Sequence, residues 1–373
     1  MFASKSRARL AKVAATVAAT AVLATGCAGV QETGGEQLNL QFNSFLGPTT
    51  PQAKAMQWAW AELAERSNGT INVEEFWAGA LVNGPDTMSA VAEGRIDLGH
   101  MTVLYNPAQL PLSQVIAIPF VTDDVSKVAE IYTELYENNA DYKAEWDKQG
   151  VVPVMFLGVP AGAVGGKDKI EGPEFFKGKN VRSSGYVAQG LQLLGANPVA
   201  LQSPEVYEAI QRGTVEAWAN NILDTAIGDQ SLHEVAPWVA DAGLGLYTVN
   251  AVLISKTRWD SMTDEQRKLV KEIAAEAATM AVNELASFDD AACEKLLSVG
   301  GGATKWSDDK VKQWADLVGT SALDAWKKDV QAAGVDPEGF YADYMAAVEK
   351  ANAGSTYVNG IARCAEKTAA AGR

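Results

Sequence analysis

The sequence predicts an α/β protein of two lobes built on one plan, with a long helix running behind both. Three observations carry this: strands alternating with helices, an internal echo, and a long uninterrupted helical run near the C-terminus. LNLQFNSF (38–45) alternates apolar and polar residues, the signature of a half-buried strand. Met56, Trp60, Leu63 and Ala64 then recur at helical spacing between Pro51 and Arg66. TINVEEFW (70–77) reads as the second strand, Pro85 opens a helix that stops at Gly94, and IDLGHMTVL (96–104) is the third strand. VVPVMFLG (151–158) is another strand, after which the pattern starts afresh. Strand–helix–strand order argues for parallel α/β lobes.

The echo lies between MSAVAEGRIDLGHM (88–101) and YEAIQRGTVEAWAN (207–220). Each is a helix ended by a glycine, then a β-branched residue, an acid and a short strand. Gly94 and Gly213 stand where a helix leaves through a left-handed residue. Ligands of open α/β sheets bind beyond the carboxyl ends of the strands. The echo therefore points to Thr102–Tyr105 in one lobe and to Trp218, Ala219, Asn220 and Asn221 in the other.

From Asp264 to about Leu297 the chain is almost all helix formers, until Gly300, Gly301 and Gly302 break it. A helix of ~34 residues spans ~50 Å, longer than one lobe. Further helix is expected at 308–333 and 337–352, with a frayed tail, KTAAAGR. The acid pairs Asp123–Asp124, Asp289–Asp290 and Asp308–Asp309 are expected at helix starts, where carboxylates favour the dipole.

Length and charge narrow the function. The chain has 373 residues, room for two domains, and a formal charge of −15. Its first 26 residues hold Lys5, Arg7, Arg9, Lys12 and no acid, so without those four positive charges −15 becomes −19. So acidic a protein lacks the basic clusters that bind nucleic acid. The N-terminus itself reads as an export signal (1–26): a basic start, a short apolar run over 13–23, then LATGC (23–27). Small residues before a cysteine resemble the lipobox of bacterial lipoproteins, which implies acylation of Cys27 and anchoring to the membrane. A plain signal peptide is the alternative. The segment 27–37 is small and polar, as a tether should be. Cys293 and Cys364 are either a disulfide or two buried thiols.

Catalytic signatures are missing. The two histidines, His100 and His233, are distant in sequence, and HEVAP lacks the second histidine of a zinc motif. There is no CxxC, GxSxG or GxxxxGK[ST], and GLGLYT (243–248) lacks the third glycine of a dinucleotide loop. No cofactor is implied, and an unmarked carboxylate pair of the glycosidase kind stays open.

FKGKNVRSSGYVAQGLQLLGANPVALQSPEVYEAIQRGTVEAWANN (176–221) resembles the diagnostic block of the solute-binding proteins of TRAP transporters, the tripartite ATP-independent periplasmic (DctP-like) type. The shared features are Lys177–Gly178, Arg182 ending a strand, Gly195–Ala196 with Pro198, Glu205–Val206–Tyr207, Gly213, Glu216 and Asn220. NGTINVEEFWAGAL (68–81), EGRIDLGHM, IPF (118–120) and LISKTRWDSMTDEQRKLV (253–270) extend the likeness over about 38–300. The resemblance implies a periplasmic-binding-protein clamshell, with 38–158 and 250–285 in lobe I and 159–249 and 286–373 in lobe II. It implies no catalysis, a small organic acid as ligand, and integral-membrane permease subunits as partners. It also implies that Arg182 pairs with the ligand carboxylate, its planar fork matching the two oxygens, and that Asn220 touches the same ligand.

This chain departs from the pattern. Many relatives carry a second arginine shortly after the strand that is here VVPVMFLG; this one has Ala161 there. Trp77 and Ala219 replace a proline or charged residue and a glutamate. One cation fewer and more aromatic surface point to a monocarboxylate with an apolar or aromatic body. Trp77 and Trp218 either line the cleft or pack between lobes. Asn43, Phe45, Thr102, Tyr105, Ser203, Asn221 and Asn250 complete the expected lining, whereas Glu205 and Tyr207 read equally well as structural. The competing classes are an ABC-type binding protein for a dicarboxylate or sugar acid, a secreted glycosidase-like enzyme, and a surface protein that binds macromolecules.

Overall fold

The computed structural model describes residues 37–201 and 205–373. Strand β1 (Leu38–Ser44) buries alternate residues from Leu38 to Phe42, then Asn43 and Ser44 as well, and leads to helix α1 (Pro51–Arg66). Thr50 caps α1 by accepting from Ala53 N at 3.1 Å, and Pro51 sits where its missing N–H costs nothing. Then come β2 (Ile71–Phe76), α2 (Thr87–Ala92), β3 (Leu98–Thr102), α3 (Val128–Asn138), α4 (Ala140–Lys148) and β4 (Val151–Gly158). The second half starts with β5 (Ala163–Gly166), β6 (Asn180–Arg182), α5 (Gly185–Leu193), β7 (Asn197–Val199), α6 (Val206–Gln211), β8 (Ala217–Asn221) and β9 (Trp238–Asp241). Strand β10 (Val249–Ser255), α7 (Lys256–Ser261) and α8 (Asp264–Ser298) follow, then β11 (Gly302–Lys305), α9 (Asp308–Val318), α10 (Ser321–Ala332), α11 (Pro337–Asn352) and α12 (Gly360–Ala370).

The strands form two sheets, ordered β2-β1-β3-β10-β4 and β11-β9-β5-β8-β6-β7. Each is mixed rather than purely parallel. Strand β10 runs antiparallel between β3 and β4, and β5 antiparallel between β8 and β9. The reason is the crossing of the chain between lobes: β4 leaves the first sheet to become β5, and β10 returns to it after β9. A strand that arrives from the other lobe enters from the end at which its neighbours leave.

Helix α8 is 35 residues long, ~52 Å at 1.5 Å per residue. Thr263 and Gln266 form a reciprocal capping box at its start. Ile273, Ala277 and Ala281 pack into the core of the first sheet, Ala292, Cys293 and Leu296 into the second, so one helix backs both. Asp289 and Asp290 lie in the middle of this helix, not at a start. Asp289 is buried and paired with Arg363 at 3.1 Å. Asp308 and Asp309 do open a helix, and Asp124 accepts from Ser126 N at a 3-10 turn.

The run 308–333 is two helices, parted at Gly319. Helix α11 packs on α3 and α4 through Tyr344 on Tyr132 and Phe340 on Tyr142. The tail is ordered rather than frayed: Thr368 Oγ1 accepts from Ala303 N at 2.9 Å, and Arg373 donates to Leu297 and Gly301 carbonyls. Cys293 and Cys364 are joined in a disulfide that ties α12 to α8. No described helix is long and apolar enough to cross a membrane.

Candidate ligand cleft

Strands β6 and β8 run parallel, with Arg182 beside Trp218 in register. Arg182 ends β6, and its side chain turns past the end of β8. Its Nε donates to Leu201 O at 3.1 Å, and one terminal nitrogen, Nη1, donates to Ala219 O at 3.2 Å and Asn220 O at 3.1 Å. These three carbonyls fix the guanidinium plane. No described carboxylate pairs with it, and no described residue accepts from Nη2. The residue is only 8% exposed, and burial holds its pKa below the ordinary arginine value. A desolvated cation without a counter-ion is costly, and an arriving anion relieves that cost.

The pairing of β5 with β8 shifts register between Ala163 and Val164: Ala163 faces Asn221 and Val164 faces Ala219. Asn220 is therefore the extra residue of a bulge, with φ at 55°. Asparagine tolerates this left-handed conformation better than most side chains. The bulge presents the Asn220 carbonyl to Arg182, while the side-chain amide donates to Ser184 O at 3.3 Å.

A cavity of about 490 Å³ opens in front of these groups. From the expected residues it brings together Arg182, Asn220, Asn221, Phe45, Thr102, Tyr105 and Asn250. Phe45 meets the Tyr105 ring edge-on at 5.7 Å and stacks on His100 at 5.1 Å. Thr102 and Thr248 hydroxyls bond at 2.8 Å. Asn250 donates to Gln52 Oε1 at 2.7 Å, and Gln52 donates to Gly158 O at 2.8 Å.

Three expected residues stand elsewhere. Trp218 is buried in the core of the second lobe against Gly165 of β5, where a Cβ would lie 2.1 Å from the indole. Glycine at 165 is what makes room for that ring. Trp77 packs edge-on against Phe42 at 5.4 Å and donates to Glu75, on the face that meets α1. Neither tryptophan packs between lobes. Asn43 clamps the following loop, donating to Val82 O and accepting from Leu81 and Val82 N. Ser203 and Cys27 lie outside the described residues.

Gln52, Tyr247, Thr248, Asp224 and Glu205 also border the cavity. Tyr247 and Thr248 belong to GLGLYT, which is the segment crossing back to β10 rather than a phosphate loop. Thr248 lies on the same lobe crossing as Asn250, two residues earlier. Asp224 follows the family asparagine by four residues and carries no signal in sequence. His100 is wholly buried and accepts or donates one bond with Ser44 at 2.9 Å; burial pulls its pKa down to about 3. No described group of His, Cys, Asp and Glu is arranged to hold a metal ion.

Two sheets meeting across a cleft, backed by one helix, with a buried arginine free of any described counter-ion at the cleft, have the layout of a two-lobed binding protein. The chain belongs to the DctP family, bacterial extracellular solute-binding protein family 7, whose model matches residues 42–329. A curated relative is the outer membrane transporter protein TsaT of Comamonas testosteroni, 27% identical over 304 residues, covering 80% of this chain and 88% of that protein. A monocarboxylate 2-oxoacid-binding periplasmic protein of Nostoc sp. is 25% identical, covering 66% of this chain and 68% of its own length. The fold is shared with TRAP solute-binding proteins. One is a marine metagenome protein specific for aromatic acid ligands, solved with 3-hydroxybenzoate (TM-score 0.75, 21% identity, 85% of this chain and 100% of that one). Another, from Rhodoferax ferrireducens, holds copurified benzoate (TM-score 0.74, 19% identity, 84% and 98%).

Proposed function

We propose that this protein is the lipid-anchored, extracytoplasmic receptor of a TRAP-type transporter and captures a monocarboxylate with an apolar or aromatic body. The observation that carries the reading is Arg182, a buried guanidinium oriented by three carbonyls, with one terminal nitrogen left over and no counter-ion among the described residues. One cation suits one carboxylate. Phe45, Tyr105 and Tyr247 supply aromatic wall, and Leu104, Leu201 and Leu285 aliphatic wall. The benzoate and 3-hydroxybenzoate of the two structural neighbours, and the 2-oxoacid of the Nostoc protein's name, fit the same description.

The walls come from both lobes, so a ligand that touches both favours the closed arrangement and shifts the population toward it. Closure is the signal that integral-membrane permease subunits would read. The LATGC sequence supports acylation at Cys27 and tethering through 27–37.

The test is a thermal-shift screen of the chain from Ala28 onward, with aromatic acids, branched keto acids, dicarboxylates, sugar acids and neutral sugars. At 100 times Kd the gain is ~2.7 kcal/mol, or ~2–4 °C per kcal/mol at most for a chain of this size. Shifts from aromatic or branched monocarboxylates that vanish in Arg182→Ala are expected. Shifts from dicarboxylates alone, or from neutral sugars untouched by the variant, would contradict the reading.

A further inference from the structure

The unpaired polar atoms around the cavity are unequal in kind. On the donor side stands Nη2 of Arg182. On the acceptor side stand three buried oxygens with no hydrogen-bond partner: Oδ1 of Asn220, Oδ1 of Asp224 and Oδ1 of Asn250. The amide orientations are fixed by their partners. Asn250 Nδ2 donates to Gln52 Oε1, and Asn220 Nδ2 donates to Ser184 O, so a flip of either would set oxygen against oxygen. A carboxylate brings acceptors only. It satisfies Arg182 and leaves all three oxygens as they were.

Asp224 is the strongest of the three. It is 6% exposed, borders the cavity, and opens the π-helical turn Asp224–Asp229 immediately after the strand that carries Asn220. No described cation pairs with it. We propose, resting on the carboxylate reading of Arg182, that Asp224 is a specificity-determining residue that accepts a hydrogen bond from a hydroxyl or amino group on the ligand. The preferred solute is then a hydroxylated or aminated monocarboxylate rather than a plain one. Its donor group lies toward Asp224 while its carboxylate lies on Arg182. Burial first, with a smaller push from Asp229 and against hydrogen bonds from Thr225, raises the Asp224 pKa to about 6, so the side chain is largely ionised, and a strong acceptor, at pH 8. A site built to bond a polar hydrogen rejects the analogue that lacks it far more strongly than an apolar pocket rejects an extra methylene.

Calorimetric titration at pH 8 with matched pairs tests this. The pairs are benzoate against 3-hydroxybenzoate and 3-aminobenzoate, phenylacetate against mandelate, and isocaproate against 2-hydroxyisocaproate. At least one donor-bearing acid is expected to bind ~10-fold or more tightly than its parent. In Asp224→Ala that preference falls to about one, because parent and donor-bearing acid then meet the same acceptor-free wall. Should Asp224→Ala not fold, Asp224→Leu, which keeps the bulk and carries no acceptor, takes its place and is expected to lose the preference in the same way. Equal affinity of wild type for parents and donor-bearing acids overturns the proposal, as does a preference that survives substitution of Asp224. The two readings fail separately. Unchanged affinity for every acid in Arg182→Ala overturns the carboxylate receptor, whereas a lost preference with retained parent binding in Asp224→Ala upholds Asp224. A wild type that responds to no member of the panel overturns both.

Discussion

Asp97 and Glu216 occupy equivalent places in the two sheets. Asp97 N donates to Gln41 O at 3.1 Å while its carboxylate accepts from Gln41 N at 2.9 Å. Glu216 repeats this with Asn180, at 2.8 and 3.1 Å. Each acid follows a short helix closed by a left-handed glycine, Gly94 or Gly213. Each also meets a cation, Arg258 or Lys179. The acid completes the edge of a neighbouring strand just before its own begins, which is the physical content of the internal echo.

Asp97→Ala and Glu216→Ala should each cost ~1 kcal/mol in urea unfolding, the price of one exchanged pair. They should differ in binding. Glu216 steadies β6, which ends in Arg182, so its loss weakens acid binding; Asp97 lies on the other sheet and its loss leaves binding nearly unchanged. Equal effects on binding would break the argument.

The Asn220 bulge predicts an unusual substitution order. Asn220→Gly keeps the left-handed turn and the carbonyl on Arg182, so stability is held within ~0.5 kcal/mol. Asn220→Val forces a β-branched residue to positive φ and should cost ~1–3 kcal/mol. Thermal unfolding of the two variants decides this; a valine as stable as the glycine would refute the assigned strain.

The disulfide closes a loop of 71 residues between α8 and α12. Replacing both cysteines by serine should destabilise by ~2–5 kcal/mol. Because the tail packs on β11 and on α8, loss of the bridge is expected to expose it first, read as faster amide exchange over 360–370 before global unfolding. Uniform exchange in the oxidised and serine forms would contradict this.

Asp224 and Asp289 are both buried, and desolvation first raises them to about 6 and about 7; Asp229 adds to the rise at Asp224, and Asp224 adds to the rise at Asp289. The Arg363 pair opposes the rise at Asp289 without cancelling it. The folded state therefore keeps protons that the unfolded chain gives up near pH 4. Stability from this pair is full below pH 4 and is lost as pH rises to 7, by at most ~1.4 kcal/mol per pH unit for each proton concerned. Asp224→Asn should flatten that decline, measured as the difference between variant and wild type in urea unfolding from pH 4.5 to 8. A variant that declines as steeply would show that Asp224 does not hold its proton above the usual carboxylate range.

Much of the fold was legible because its periodicities are local. The strands at 38–45 and 151–158, the helix from Asp264 and the glycine-closed echo all declare themselves in consecutive residues. Arg182, Phe45 and Tyr105 were legible as strand-end residues, and Asn250 as part of a lobe crossing. What was hidden depends on the third dimension. Trp218 looks like a cleft aromatic until Gly165, more than fifty positions earlier, turns out to receive it. Asp289 looks like a cap until it is found inside a helix, facing Arg363. Asp224 has no period, motif or neighbour in sequence to mark it, and its environment is assembled from segments far apart in the chain.

A crystal structure with the acid that gives the strongest thermal shift shows whether Arg182 receives the carboxylate of the solute. One ligand carboxylate oxygen is expected within ~2.7–2.9 Å of Arg182 Nη2, with the three carbonyl bonds to Nε and Nη1 kept. A ligand whose carboxylate lies elsewhere in the cavity, with Nη2 still unpaired, would contradict it.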